Sequence, residues 1–101
     1  MKHNNQERTN KFFEALLSLK TIEECEMFFD DICTIKELLD ISQRYEVAEM
    51  LSDGKVYTEI ASKTGASTAT ISRVNRCLNY GSGGYKTALS KLKPSALEEK
   101  K

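Results

Sequence analysis

Apolar side chains recur at intervals of three and four residues along most of the chain, and this is the period of an amphipathic α-helix. No long alternation of Val, Ile and Thr with polar residues appears, so strands are not predicted. One proline and five glycines leave long segments without helix breakers. The pattern therefore predicts an all-α fold with six helices. They should cover approximately residues 9–19, 22–31, 35–52, 57–64, 68–79 and 85–93.

Capping signals place the starts of the second and third helices. Thr21 stands three residues before Glu24, and Thr34 stands three residues before Glu37. In such a capping box, the hydroxyl and the carboxylate each bind a backbone amide that has no partner at the start of a helix. Gly54 marks the end of the third helix, since glycine readily takes the left-handed conformation that stops one.

The third helix is apolar around nearly its whole circumference. Its apolar side chains are Ile35, Leu38, Leu39, Ile41, Tyr45, Val47, Ala48, Met50 and Leu51. A helix that is apolar on every side has to be surrounded, and a single domain of 101 residues has few other helices for this. We therefore predict a homodimer, in which a second copy covers part of this helix. The alternative is that some of these residues lie at the surface.

Residues 57–79 have the pattern of a helix-turn-helix, with two short helices joined at Gly65. Glycine can take the left-handed conformation that ends the first helix and redirects the chain. Ser67 or Thr68 should then cap the second helix. At 100° per residue, the second helix has one inward stripe. The stripe consists of Ile71, Val74 and Leu78.

The opposite side of this second helix has the composition of a surface that enters a DNA major groove. Short side chains near the helix start permit a close approach, and arginines reach phosphates or guanine edges. An ordinary helical hairpin with a polar outer face and no ligand is the alternative. The residues predicted to contact DNA are Ser67, Thr68, Ala69, Thr70, Ser72, Arg73 and Arg76.

Charge is divided unevenly, although the formal net charge is zero. Residues 1–53 contain six Lys and Arg against twelve Asp and Glu, whereas residues 54–101 contain nine against three. The helix-turn-helix lies in the basic half. An anionic partner such as double-stranded DNA would therefore meet the C-terminal half. A solvated charge dipole without a partner is the alternative.

Other function classes have little support in the sequence. No nucleophile with a base, phosphate-binding loop or metal-ligand spacing is evident, so we expect neither an enzyme nor a metal or other cofactor. Cys25, Cys33 and Cys77 are odd in number and should be packing residues rather than disulfides. No apolar run is long enough for a membrane span, and the N-terminus lacks the apolar core of a signal peptide. A cytoplasmic location is the expectation.

Two segments carry a resemblance to a known family. Residues 43–51, Gln-Arg-Tyr-Glu-Val-Ala-Glu-Met-Leu, and residues 64–73, Thr-Gly-Ala-Ser-Thr-Ala-Thr-Ile-Ser-Arg, resemble the tryptophan-repressor family over about residues 12–93. The resemblance is greatest to a related branch that is common in Gram-positive bacteria and has no assigned effector. It implies an intertwined dimer whose core is shared and whose two helix-turn-helix units project as heads.

The resemblance also implies a place for a small-molecule effector. In the family, corepressor tryptophan lies between two arginines, and Arg44 and Arg73 match those positions. The glycine that follows the second arginine in the repressor is Val74 here. A branched side chain at that position takes space from the indole, so we expect tryptophan to bind weakly or not at all.

The predicted domain is 9–93, preceded by a flexible arm (1–8) and followed by a charged tail (94–101). Its predicted function is a sequence-specific DNA-binding transcriptional regulator, a repressor, that acts as a homodimer. The alternative is a protein-interaction module that keeps the helix-turn-helix as a scaffold without specific DNA binding. The acidic N-terminal half is the feature that recommends this alternative.

Overall fold

The structure is a computed structural model that describes residues 2–92, and every described element of regular structure is an α-helix. The prediction of an all-α fold with six helices is confirmed. The helices are α1 (Lys2–Ser18), α2 (Ile22–Ile32), α3 (Ile35–Ser52), α4 (Tyr57–Thr64), α5 (Thr68–Tyr80) and α6 (Gly84–Leu92).

The start of α1 differs from the prediction. The helix begins at Lys2, not Thr9, so the segment that we expected to be an arm is helical from its second residue. Polar side chains support the start of this helix. The Gln6 side-chain amide donates to Asn10 Oδ1 at 3.0 Å, and Thr9 Oγ1 donates to the carbonyl of Asn5 at 2.9 Å. The predicted tail, 94–101, lies outside the described residues.

Both predicted caps are present. The Glu24 amide donates to Thr21 Oγ1 at 3.0 Å, while the Glu24 carboxylate accepts from the amide of Lys20 at 2.6 Å. At the start of α3 the exchange is reciprocal. The Glu37 amide donates to Thr34 Oγ1 at 3.0 Å, and the Thr34 amide donates to the Glu37 carboxylate at 2.8 Å. These bonds use amides that would otherwise lack a partner at each helix start.

The chain divides into two compact units, the first ending at Leu38 and the second beginning at Leu39. The first unit holds α1, α2 and the first turn of α3. Helices α1 and α2 meet through aromatic rings, since Phe12 of α1 stacks on Phe28 of α2 with centroids 6.0 Å apart. Within α2, Phe29 meets Phe28 edge-on at 5.6 Å. None of residues 5–38 is buried.

The second unit has a hydrophobic core, to which α3, α4, α5 and α6 all contribute. Its fully buried members with the largest side chains are Ile60, Ile71, Val47 and Val74. The remaining buried residues are Ala48, Ala66, Leu78 and Leu89. The inward stripe predicted for the second helix of the helix-turn-helix is therefore confirmed. Among residues 2–92, no helix is both long enough and apolar enough to cross a membrane.

Candidate nucleic-acid interface

The turn between α4 and α5 is the one that the sequence predicts. Gly65 has φ of 76° and ψ of 5°, which is the left-handed conformation. Its amide donates to the carbonyl of Ala61 at 2.9 Å and so closes the last turn of α4. A side chain other than hydrogen is disfavoured at such a φ, so the glycine is required for conformation.

The second helix is capped by Ser67, and Thr68 is its first residue. The amide of Thr70 donates to Ser67 Oγ at 3.1 Å, and Ser67 Oγ donates to Thr70 Oγ1 at 3.1 Å. These two predicted DNA-contacting side chains are therefore held together at the helix start. The start of a helix also presents backbone amides and a partial positive charge, which favour a phosphate.

The two faces of α5 differ sharply in burial. Ile71 is 0%, Val74 1% and Leu78 9% exposed, and all three pack in the core with Ile60 of α4. The outer face is exposed and lines a single recess. Its residues are Ala69, Ser72, Arg73 and Arg76. The small residues lie within the first two turns and the arginines follow them, so close approach and charge are combined on one surface.

Of the three residues predicted for an effector pocket, two are exposed and one is buried. Arg44 is exposed on α3, and Arg73 is exposed on the outer face of α5. The side chain of Val74 is in the hydrophobic core, where it packs with the buried residues of the second unit. The space that the Val74 side chain fills is therefore part of the packed core. The effector pocket stays a prediction.

A hydrogen bond from α3 to the turn was not foreseen from the sequence. The side-chain amide of Gln43 donates to the carbonyl of Thr64 at 3.0 Å, in a partly buried position. Thr64 Oγ1 donates to the carbonyl of Ile60 at 2.8 Å and accepts from the amide of Ala66 at 3.1 Å. Glutamine carries no sequence signal for such a contact, because its partner is 21 positions away.

An open pocket of about 620 Å³ in the second unit was also not foreseen. It lies where the end of α5 and the start of α6 meet α3. The glycine-rich segment after α5 was the available signal, since small residues leave space. The lining residues are Tyr45, Cys77, Gly81, Ser82, Gly84, Tyr85 and Ala88.

Residues 54–92 carry a net positive charge, which favours an anionic ligand. Residues 54–92 contain six Lys and Arg and one acidic residue, Glu59. Two of the six, Arg73 and Arg76, are on the outer face of α5. The outer face of α5 is thus cationic, which favours the approach of a polyanion.

A family model, a relative in sequence and a solved structure all match most of this chain. Residues 7–93 match the family described as Trp repressor protein. The chain is 54% identical to YerC, an uncharacterized protein of Bacillus subtilis strain 168, over 88% of this chain and 86% of that protein. A crystal structure of a TrpR-like protein from Eubacterium eligens superimposes with a TM-score of 0.83 at 55% identity, covering 85% of this chain and 89% of that one.

Proposed function

The chain belongs to the Trp repressor family, and from this premise we propose that it is a sequence-specific DNA-binding transcriptional regulator that acts as a homodimer. One observation carries the proposal. The helix α5 buries Ile71, Val74 and Leu78 and exposes the surface that contains Arg73 and Arg76. A helix held rigidly by one face and cationic on the other can enter a major groove without rearrangement.

In the proposed complex, α5 is the recognition helix. Ala69 and Ser72 let the helix approach the base edges, while Arg73 and Arg76 contact guanines or phosphates. Ser67 and Thr68 at the helix start lie where a phosphate would meet the backbone amides. Thr70, which is bonded to Ser67, completes the proposed surface.

The proposed homodimer is supported by apolar surface that a single chain leaves uncovered. Leu17 is 83% exposed, Ile35 80%, Ile22 76% and Leu39 63%. The first unit contains no buried described residue with which to form a core of its own. Helices of this kind need an apolar partner, and a second copy offers the same surfaces in return.

Repression is proposed from the family, which is described as Trp repressor protein. A regulator of this kind works where the DNA is, so the proposal includes a cytoplasmic location. For the effector we propose that DNA binding needs no tryptophan. The buried Val74 supports this, since the position that is glycine in the repressor is filled here by core packing.

Titration of the protein with duplex DNA at several salt concentrations tests the proposal. We expect affinity to fall steeply with salt, because each phosphate contact releases counterions. Binding should favour some sequences over others at fixed salt. Failure to bind any duplex at low salt, together with capture of a stable protein partner, would favour the interaction module instead. The acidic first half, with twelve Asp and Glu, is the surface such a partner would meet.

A further inference from the structure

We propose that Gln43 is a positioning residue for DNA recognition, whose side-chain amide fixes the turn of the helix-turn-helix to α3. The inference rests on the proposed function. Gln43 belongs to neither helix of the motif, and it reaches the turn through the 3.0 Å hydrogen bond to the carbonyl of Thr64. It acts on DNA binding through the orientation of the turn and not by touching DNA.

The acceptor of this bond is a group that a helix cannot satisfy by itself. Thr64 is the last residue of α4, and the last carbonyls of a helix have no amide partner within it. Gly65 then turns the chain away in the left-handed conformation. The Gln43 amide lies close to this turn, since a Cβ built on Gly65 would be 4.0 Å from Gln43 Nε2. The donor from α3 thus replaces water at a partly buried carbonyl.

The turn is fixed from two directions. Within the motif, the hydroxyl of Thr64 links the carbonyl of Ile60 to the amide of Ala66, and Ala66 is only 5% exposed. From outside, Gln43 holds the carbonyl of the same threonine. The capping residue Ser67 follows directly, so any displacement of the turn displaces the start of α5. That start is where the short side chains are proposed to approach DNA.

Gln43→Met tests the proposal, because methionine has nearly the same length and cannot donate a hydrogen bond. Gln6→Met is the matched control, since Gln6 is the other glutamine of the chain and lies exposed on α1. We expect Gln43→Met to raise the dissociation constant for DNA by up to about fivefold, because the variant has to order the turn on binding and one hydrogen bond of ordinary strength sets the limit of that cost. The salt dependence should not change, because no phosphate contact is lost. The control should bind as the native chain does.

Amide hydrogen exchange without DNA separates positioning from general stability. In Gln43→Met the amide of Ala66 should exchange about fivefold faster. The amide of Ile71, which donates to the carbonyl of Ser67 inside α5, should exchange as before. A merely destabilised protein would show faster exchange at both.

Unchanged exchange at Ala66 would overturn the proposal, and so would faster exchange with unchanged DNA affinity. Failure of the proposed function would appear elsewhere, as absence of DNA binding by the native chain. The exchange comparison decides whether Gln43 holds the turn in either case.

Discussion

Arg73 and Arg76 are exposed side chains on a helix whose other face is buried, so their contribution to binding can be separated from folding. We expect Arg73→Ala and Arg76→Ala each to weaken DNA binding and to leave the melting temperature nearly unchanged. A contact to a guanine would cost about 1–3 kcal/mol and depend on sequence. A contact to a phosphate would weaken every sequence and reduce the salt slope by about one.

Arg8→Ala is the matched control for these two variants. Arg8 is also exposed, and it lies on α1, outside the unit that contains the helix-turn-helix. Its removal changes the net charge by the same amount and should have little effect on affinity. If both recognition-helix variants bind DNA as tightly as the native chain, α5 is not the DNA-contacting surface.

The prediction that tryptophan binds weakly or not at all depends on Val74. Its side chain is 1% exposed, and overfilling a fitted pocket typically costs about 1–3 kcal/mol, which is one or two decades of affinity. Calorimetric titration of the native chain with L-tryptophan should therefore show weak binding or none. Tight binding that is not improved by Val74→Gly would show that this valine does not obstruct the ligand.

Individual residues could be placed from the sequence where their position depends on the helical period or on capping chemistry. The sequence placed Ile71 in the core and Ser67 among the two possible caps, because both follow from neighbours within four positions. It did not indicate the bond from Gln43 to Thr64. That contact depends on how α3 lies against the turn, and a glutamine near the middle of a helix gives no sign of it.

Helix ends were predictable where a residue with special chemistry marks them. Thr21, Thr34, Gly54 and Gly65 act as predicted, the two threonines through side-chain bonds and the two glycines through positive φ. The start of α1 was missed because residues 2–8 lack apolar periodicity. Side-chain hydrogen bonds such as that from Gln6 to Asn10 support this segment, whose sequence has no apolar pattern to reveal the helix.

Gly65→Ala tests the turn as an element. A Cβ at this position has only an ordinary contact at 4.0 Å, so the cost of the substitution is conformational and not steric. At φ of 76° we expect a loss of about 1–2 kcal/mol in the free energy of unfolding. DNA affinity should also fall, since the turn sets the position of α5.

Gly84→Ala is the matched control for that loss. Gly84 begins α6, its φ is not positive, and an added Cβ would meet nothing within 4 Å. The change should be neutral or stabilise by up to about 1 kcal/mol, because alanine has less freedom in the unfolded chain. Chemical denaturation of both variants gives the comparison. Equal stabilities would show that the left-handed turn imposes no requirement for glycine.

We expect the whole molecule to be a homodimer whose chains do not fold separately. The melting temperature should rise with protein concentration, as it does when association and folding are coupled. Phe13 and Leu17 lie one helical turn apart on α1 and are 52% and 83% exposed. Replacing both with glutamine should weaken the dimer strongly if a second copy covers them.

Val56→Gln is the control for the dimer variant, because Val56 is also an exposed apolar residue, at 62%, but lies beside the helix-turn-helix. It should leave association unchanged. Analytical ultracentrifugation measures the association of the native chain, the double variant and Val56→Gln. A native chain that is monomeric at micromolar concentration and melts independently of concentration would contradict the dimer.

In the proposed complex two copies present paired α5 helices to DNA, and selection of bound sequences from random duplexes shows whether they do. We expect enrichment of a two-fold symmetric sequence whose half-sites are centred about one helical turn, roughly 10 base pairs, apart. Arg73→Ala should relax the preference within each half-site if that arginine reads a guanine. Recovery of no enriched sequence, or of a single site without symmetry, would contradict the claim.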